Sequence, residues 1–267
     1  RSPSRGLGDV YKRQLLFRYQ IYCDFSGYTD IARGVSKLFG VELMENFNRP
    51  FAATSISDNW RRWHISLGLW MKDYLFFPLV RTFGANRASI GISLVLVFVV
   101  GGAWHGSHLH FILWGLGHGL FYILEIALKS PLQKIYEISG LNKMPWLKKS
   151  VNISTTFSII AILAVLFKAR SFPEIRSIYG RIFMETPGDS MEYFVSKLVI
   201  FHWLDLVVIL GGLVVMECLQ YLHSKKPLVE RWRNRQAYVR WSLYISCVYV
   251  FYIFGRFNEK EFLYFGF

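Results

Sequence analysis

Five apolar runs constrain this chain more than anything else in it. They are "SIGISLVLVFVVGGAWHG" (89–106), "HFILWGLGHGLFYILEIAL" (110–128), "VNISTTFSIIAILAVLFKA" (151–169), "LVIFHWLDLVVILGGLVVMECLQYL" (198–222) and "VRWSLYISCVYVFYIFG" (239–255). A helix crosses the hydrocarbon core with roughly 17–25 apolar residues. Only helices and closed barrels satisfy their backbones in lipid. These runs are continuous rather than alternating, which excludes the barrel pattern. The expected fold class is therefore all-α, a polytopic helical membrane protein. A hydrophobic share of 53% is above the level usual for soluble domains.

The formal charge of +13 reads differently in that setting. In a soluble chain it would point to nucleic acid. Here the cations lie in loops, where they set orientation and meet anionic lipid, and no soluble segment interleaves basic and aromatic residues. No nucleic-acid partner is expected; the bilayer is. Residues 129–150 carry Lys129, Lys134, Lys143, Lys148 and Lys149 against Glu137, and residues 223–240 are equally basic. Both loops should be cytoplasmic, and the charge-balanced segment 170–197 outside. "RSFPEIRSIYGRIF" is amphipathic and should lie at an interface. Cys23, Cys218 and Cys247 form no C-x-x-C pair and are expected to be small buried hydrophobes.

Residues 1–14, "RSPSRGLGDVYKRQ", are polar and patternless, and are expected to be a non-native or disordered leader. Residues 15–43 are apolar but interrupted by Asp24, Asp30 and Arg33, which suggests a short helix pair. The Asn-Arg-Pro break follows, and "SISDNW" offers Ser or Asp helix caps.

The chemistry concentrates in two places. In "NWRRWHISLGLWMKDYLFFPL" (59–79) the ionisable residues Arg61, Arg62, His64, Lys72 and Asp73 sit among Trp, Leu and Phe. If 58–76 is one helix, Arg61, His64 and Gly68 share a face by i, i+3, i+7 spacing. Such a face suits an anionic ligand, or else arginines snorkelling at a membrane boundary. In "GGAWHGSHLHF", His105 ends a span beside a Gly pair. Polar groups in the membrane are costly and tend to mark function. Imidazole titrates near neutral pH and suits a general base. His105, His108 and His110 form H-x-x-H-x-H, but i+5 cannot join i and i+3 on one helix and no carboxylate or Cys completes a set. No metal site is expected. His118 would line the same cavity as His105 or pack between helices. Asp24 and Asp30 would pair with Arg33, or with Arg61 and Arg62.

These residues together resemble a known family. "YCDFSGYTDIARGVSKLFGVELMENFNRPFAATSISDNWRRWHISLGLWMKDYLFFPL" resembles the signature of membrane-bound O-acyltransferases, in particular the alginate O-acetyltransferase type. "GGAWHGSHLHFILWGLGHGLFYILE" is similar to the family's second signature, and "EFLYFGF" to its aromatic C-terminus. The resemblance covers about 15–267, read as the C-terminal part of a single membrane domain lacking its N-terminal helices. It departs at "VRTFGANR", which is usually Gly-rich, at Ala103, and at Lys168, where Arg is common.

The resemblance implies that His105 is the catalytic histidine and His64 the second functional one. Arg61, Arg62, Trp104, Asp73 and His118 become substrate-binding candidates around a narrow passage within the membrane. It implies no bound cofactor, acetyl-CoA as acyl donor, a secreted polysaccharide such as alginate as acceptor, and a periplasmic acetyltransferase partner. The implied location is multi-pass in a bacterial inner or plasma membrane. Transfer of D-alanyl or lipid acyl groups by the same fold, a transporter, and a scaffolding subunit remain the alternatives.

Overall fold

The computed structural model describes residues 7–169, 171–183 and 203–255. The chain divides into two compact units, the first running to Phe201 and the second spanning His202–Gly266. Among the described residues every regular element is helical.

The first unit opens with α1, Leu7–Leu38, a single helix rather than the expected pair. Phe17, Arg18, Tyr22, Phe25 and Thr29 are its buried residues and recur at helical spacing. The polar residues that suggested a break fall on other faces: Asp30 is exposed and pairs with Arg33 at 3.2 Å, and Arg33 reaches Glu45 at 3.0 Å. The helix ends where Gly40 takes φ +74°. Gly40 N–H donates to Lys37 O and Val41 N–H to Ser36 O, the paired bonds of a Schellman cap.

A loop with a 3₁₀ turn at Pro50–Ala52 leads to α2, Ile56–Trp60. Ser55 caps it: its Oγ accepts Asp58 N–H at 3.0 Å, while Asp58 Oδ2 accepts Thr54 N–H at 3.1 Å. Next come α3, Ile65–Met71, a π turn at Lys72–Phe76, and α4, Phe77–Phe83.

The hairpin of α5, Arg87–His105, and α6, Leu109–Ile138, forms the centre of the unit. Asn86 caps α5 by accepting Ser89 N–H at 2.9 Å. The two helices touch at backbone level: a Cβ on Gly102 would lie 2.3 Å from Phe111 O, and one on Gly115 2.1 Å from Phe98 O. Glycine is required at both positions for this approach. The next helix, α7, Pro145–Lys168, starts with proline, whose missing N–H costs nothing at a helix start. The amphipathic α8, Phe172–Phe183, buries Ile175, and its Tyr179 hydroxyl donates to Ile162 O at 3.0 Å.

In the second unit, α9, Trp203–Lys225, α10, Leu228–Arg233, and α11, Ala237–Phe254, carry the described part of the last two apolar runs. Arg231 of α10 donates to the carbonyls of Leu222 and Lys226, capping the end of α9.

The protein is an all-α membrane protein. Helices α5, α6 and α7 are each long and apolar enough to cross a bilayer. Large apolar residues such as Ile92, Val100, Leu120, Leu124 and Ile126 stay uncovered on them, as lipid contact requires. The cysteines depart from expectation. All three are exposed and none is in a disulfide among the described residues, because each projects from a helix face that the described residues leave open. Residues 1–6 and the closing "EFLYFGF" lie outside the described residues.

Candidate functional site

His105 is the last residue of α5, placed where the helix gives way to Gly106. Its ring meets Trp104 at 4.9 Å, Phe167 at 5.0 Å and Trp114 at 5.4 Å between centroids. The imidazole is thus set in an aromatic cup drawn from α5, α6 and α7.

His64 arrives by a different route. Residues 58–76 are not one helix, so the proposed Arg61–His64–Gly68 face does not exist. The chain breaks between α2 and α3 because the preceding loop pairs with it. Asn48 N–H donates to Arg62 O at 2.9 Å, and Ile65 N–H to Asn46 O at 3.0 Å. Asn46 Oδ1 accepts Ser66 N–H at 3.1 Å, and Phe47 bridges to Trp63. His64 sits at the corner with φ 45° and ψ 54°, in the left-handed region, which helical periodicity would never assign to it. Its ring stands edge-on to Phe25 at 4.8 Å, and its Nδ1 lies 3.4 Å from Ser66 Oγ. Burial pulls its pKa down to about 4, so the imidazole is neutral at physiological pH.

Trp104 joins the two histidines. Its indole is 6.4 Å from the His64 ring and 4.9 Å from that of His105. It is also 56% exposed, so the described residues leave this side of the site uncovered. His118 lies one ring further in. It is 2% exposed and enclosed by Trp114 at 4.8 Å and Trp60 at 5.0 Å. Trp114 touches both His105 and His118, so His118 backs the cup and does not line its mouth.

The two arginines are committed to Asp58. Arg62 Nε donates to Asp58 Oδ1 at 2.9 Å and its Nη1 to Asn48 O at 3.3 Å; Arg61 Nη2 lies 3.6 Å from Asp58 Oδ1. Burial acts to raise the Asp58 pKa, but the Arg62 and Thr54 hydrogen bonds and the two guanidinium charges outweigh it and hold the carboxyl below its usual range. Asp24 and Asp30 are therefore not the arginines' partners. Asp73 is exposed on the π turn, 4.0 Å from Lys72 Nζ, and nothing brings it to the histidines. His110 spends its Nδ1 on Leu166 O at 3.1 Å. Among the described residues no group of three His, Cys, Asp or Glu side chains is gathered for a metal.

Several structural partners escaped the sequence reading. Asp58 was legible in principle, since it stands four residues before Arg62. Glu125, which accepts hydrogen bonds from Ile56 N–H, Ser57 N–H and Ser57 Oγ, lies 68 residues from Ser57. Arg18, 4% exposed, donates to Asn59 Oδ1 and stacks near Phe51 and Phe157. No local pattern announces either contact.

Comparison with known proteins shows what the chain resembles. Residues 13–135 match the model of the membrane-bound O-acyltransferase family. A probable alginate O-acetylase of Pseudomonas syringae pv. tomato is 35% identical over 176 residues, 66% of this chain and 32% of that protein. A peptidoglycan O-acetyltransferase of Helicobacter pylori is 39% identical over 165 residues, 61% of this chain and 29% of its own. A teichoic acid D-alanyltransferase of Bacillus subtilis is 39% identical over 113 residues, 39% of this chain and 29% of its own. The chain thus spans about a third of the length of the relatives it matches.

Proposed function

Because this chain belongs, through residues 13–135, to the membrane-bound O-acyltransferase family, we propose that the protein moves an acetyl group from a cytoplasmic thioester, acetyl-CoA, toward hydroxyls of an extracytoplasmic polysaccharide such as alginate. The observation that carries this reading is the meeting of His64 and His105 on either side of Trp104.

In this mechanism His105 acts as general base. Its imidazole takes the proton from the acceptor hydroxyl as that oxygen attacks the thioester carbonyl. A new C–O bond forms, the C–S bond breaks, and His105 returns the proton to the departing thiolate. His64, neutral in its half-buried corner, offers an N–H to the carbonyl oxygen as negative charge develops there. Trp104 walls the space between them. Arg61 and Arg62, held by Asp58, present cationic edges to the anionic portions of the donor. The aromatic cup around His105 excludes water, which would otherwise compete with the acceptor hydroxyl.

The protein would work as a multi-pass component of a bacterial inner membrane, with a periplasmic acetyltransferase completing delivery. The D-alanyltransferase relative supports a second reading, transfer of D-alanyl by the same pair of histidines. One experiment separates them. Full-length protein in inverted proteoliposomes is given radiolabelled acetyl-CoA, then a D-alanyl carrier thioester. Wild type should consume acetyl-CoA only, and His105→Ala and His64→Asn should each abolish transfer while still inserting. Turnover in a folded His105→Ala variant would remove His105 from the reaction.

A further inference from the structure

The two histidines of the site belong to separate pieces of structure. His105 is fixed by the α5–α6 hairpin, whereas His64 hangs from the short α2 and the turn after it. Something must set one piece against the other. The aromatic packing does not do so by itself. Trp60, at the end of α2, meets His118 at 5.0 Å, Phe98 at 5.1 Å and Trp114 at 5.9 Å, and such contacts tolerate sliding.

Glu125 is the directional link. It lies within the apolar helix α6, where a carboxylate is costly and tends to be kept for a purpose. It forms no ion pair among the described residues; it accepts hydrogen bonds from Ile56 N–H, from Ser57 N–H at 3.2 Å and from Ser57 Oγ at 2.5 Å, all on the first turn of α2. Ser55 Oγ takes Asp58 N–H, so the N–H groups of the first three residues of α2 all have acceptors: Glu125 for Ile56 and Ser57, Ser55 for Asp58. Only three residues separate the end of α2 from His64, and two bonds to Asp58 and Asn48 tie Arg62 down in between.

We propose that Glu125 is a positioning residue that docks α2 on α6 and thereby holds the His64 ring at its distance from His105. The kinetic part of this proposal rests on the acyl-transfer reading; the geometric part does not. Without the carboxylate, the first turn of α2 loses its partners, Trp60 lifts from His118, and His64 leaves its corner. The α5–α6 hairpin, held by its own glycines, stays in place.

The test reads each histidine separately. Full-length protein in detergent is treated with diethyl pyrocarbonate, which modifies neutral imidazole, and the modification rate at each histidine is followed by mass spectrometry. In Glu125→Ala, His64 and His118 should react several-fold faster than in wild type, while His108 and His110 keep their rates. Glu125→Gln, which retains one acceptor oxygen, should fall between. Ser57→Ala removes only the hydroxyl donor and should shift His64 in the same direction by less. In the acyl-transfer assay Glu125→Ala should lower kcat by roughly a hundredfold, the size of effect expected from about an ångström of misplacement, and leave KM for the thioester unchanged. Wild-type reactivity of His64 in Glu125→Ala, or a rise at all four histidines together, would overturn the proposal. If Glu125→Ala does not insert, Glu125→Gln and Ser57→Ala decide by the same pattern. If wild type transfers no acyl group at all, the acyl-transfer reading fails and the modification pattern still decides the positioning role.

Discussion

Replacing Gly115 with alanine should push the α5–α6 hairpin apart and disable the site beside it, since Gly115 follows Trp114 and faces Gly102, one turn before His105. The added Cβ would lie 2.1 Å from Phe98 O, 2.9 Å from Phe98 C and 3.2 Å from Gly102 N. All three are backbone atoms, so no side chain can rotate out of the way. Comfortable C···O contacts between helices begin near ~3.3 Å, leaving a shortfall of about an ångström that only separation of the helix axes can supply. Overpacking of this kind costs about 1–3 kcal/mol, and a clash with rigid backbone belongs at the upper end, about 3 kcal/mol. Separation also moves Phe111 and Trp114, both of which face the His105 ring. Gly91→Ala is the matched control, because its Cβ would meet only Ile123 Cδ1 at 3.6 Å, an ordinary contact. Thermal unfolding of the purified protein in detergent, followed by acetyl transfer in proteoliposomes, reads both effects. Gly115→Ala should unfold at a clearly lower temperature and lose most of its activity, with Gly91→Ala near wild type. Equal melting temperatures for the two variants would refute the backbone-contact argument.

Two further outcomes are expected. The unfolded chain protonates His64 near ~6.5, whereas the folded chain resists until about 4. Between those values the unfolded state binds more protons, so the His64 contribution is complete above the unfolded value and is lost as pH falls through the folded one. Melting temperatures measured from pH 8 to 4 should therefore decline below pH ~6.5, and His64→Asn should flatten part of that decline; an identical slope in both proteins would exclude the burial argument. Ser55→Ala, which removes the cap of α2, should cost about 1 kcal/mol by thermal unfolding, and an unchanged melting curve would mean that Glu125 alone suffices to start the helix.

What could be read from the sequence was whatever local physics decides. The apolar runs that became α5, α6 and α7 and a serine cap within "SISDNW" follow from short-range patterns. The two histidines were legible because ionisable groups among apolar residues are expensive wherever they occur. The continuous α1 was missed because the interruptions at Asp24, Asp30 and Arg33 were counted along the chain and not around the helix, where they leave the buried stripe intact. The break before His64 was missed for a different reason. Residues 58–76 have acceptable helical periodicity, and only the bonds from Asn46 and Asn48 make the corner more favourable than another turn of helix. The tie of Arg61 and Arg62 to Asp58, on the short helix just before them, fixes where their guanidinium groups sit and was not read from the sequence. Glu125 was invisible because its partners are 68 or more positions away in the chain.

The left-handed backbone at His64 makes this position answer to two separate demands at once. The ring must serve the site, and the main chain must accept a conformation that most side chains resist at roughly 1–2 kcal/mol. Alanine satisfies neither demand, glycine and asparagine only the second. A scan that uses alanine alone would blend a chemical loss with a conformational one and overstate the part played by the imidazole. The gap between alanine and glycine at this one position measures the conformational share directly. Position 64 is therefore narrow for evolution as well as for the experimenter, since a replacement must suit the corner before its chemistry can matter.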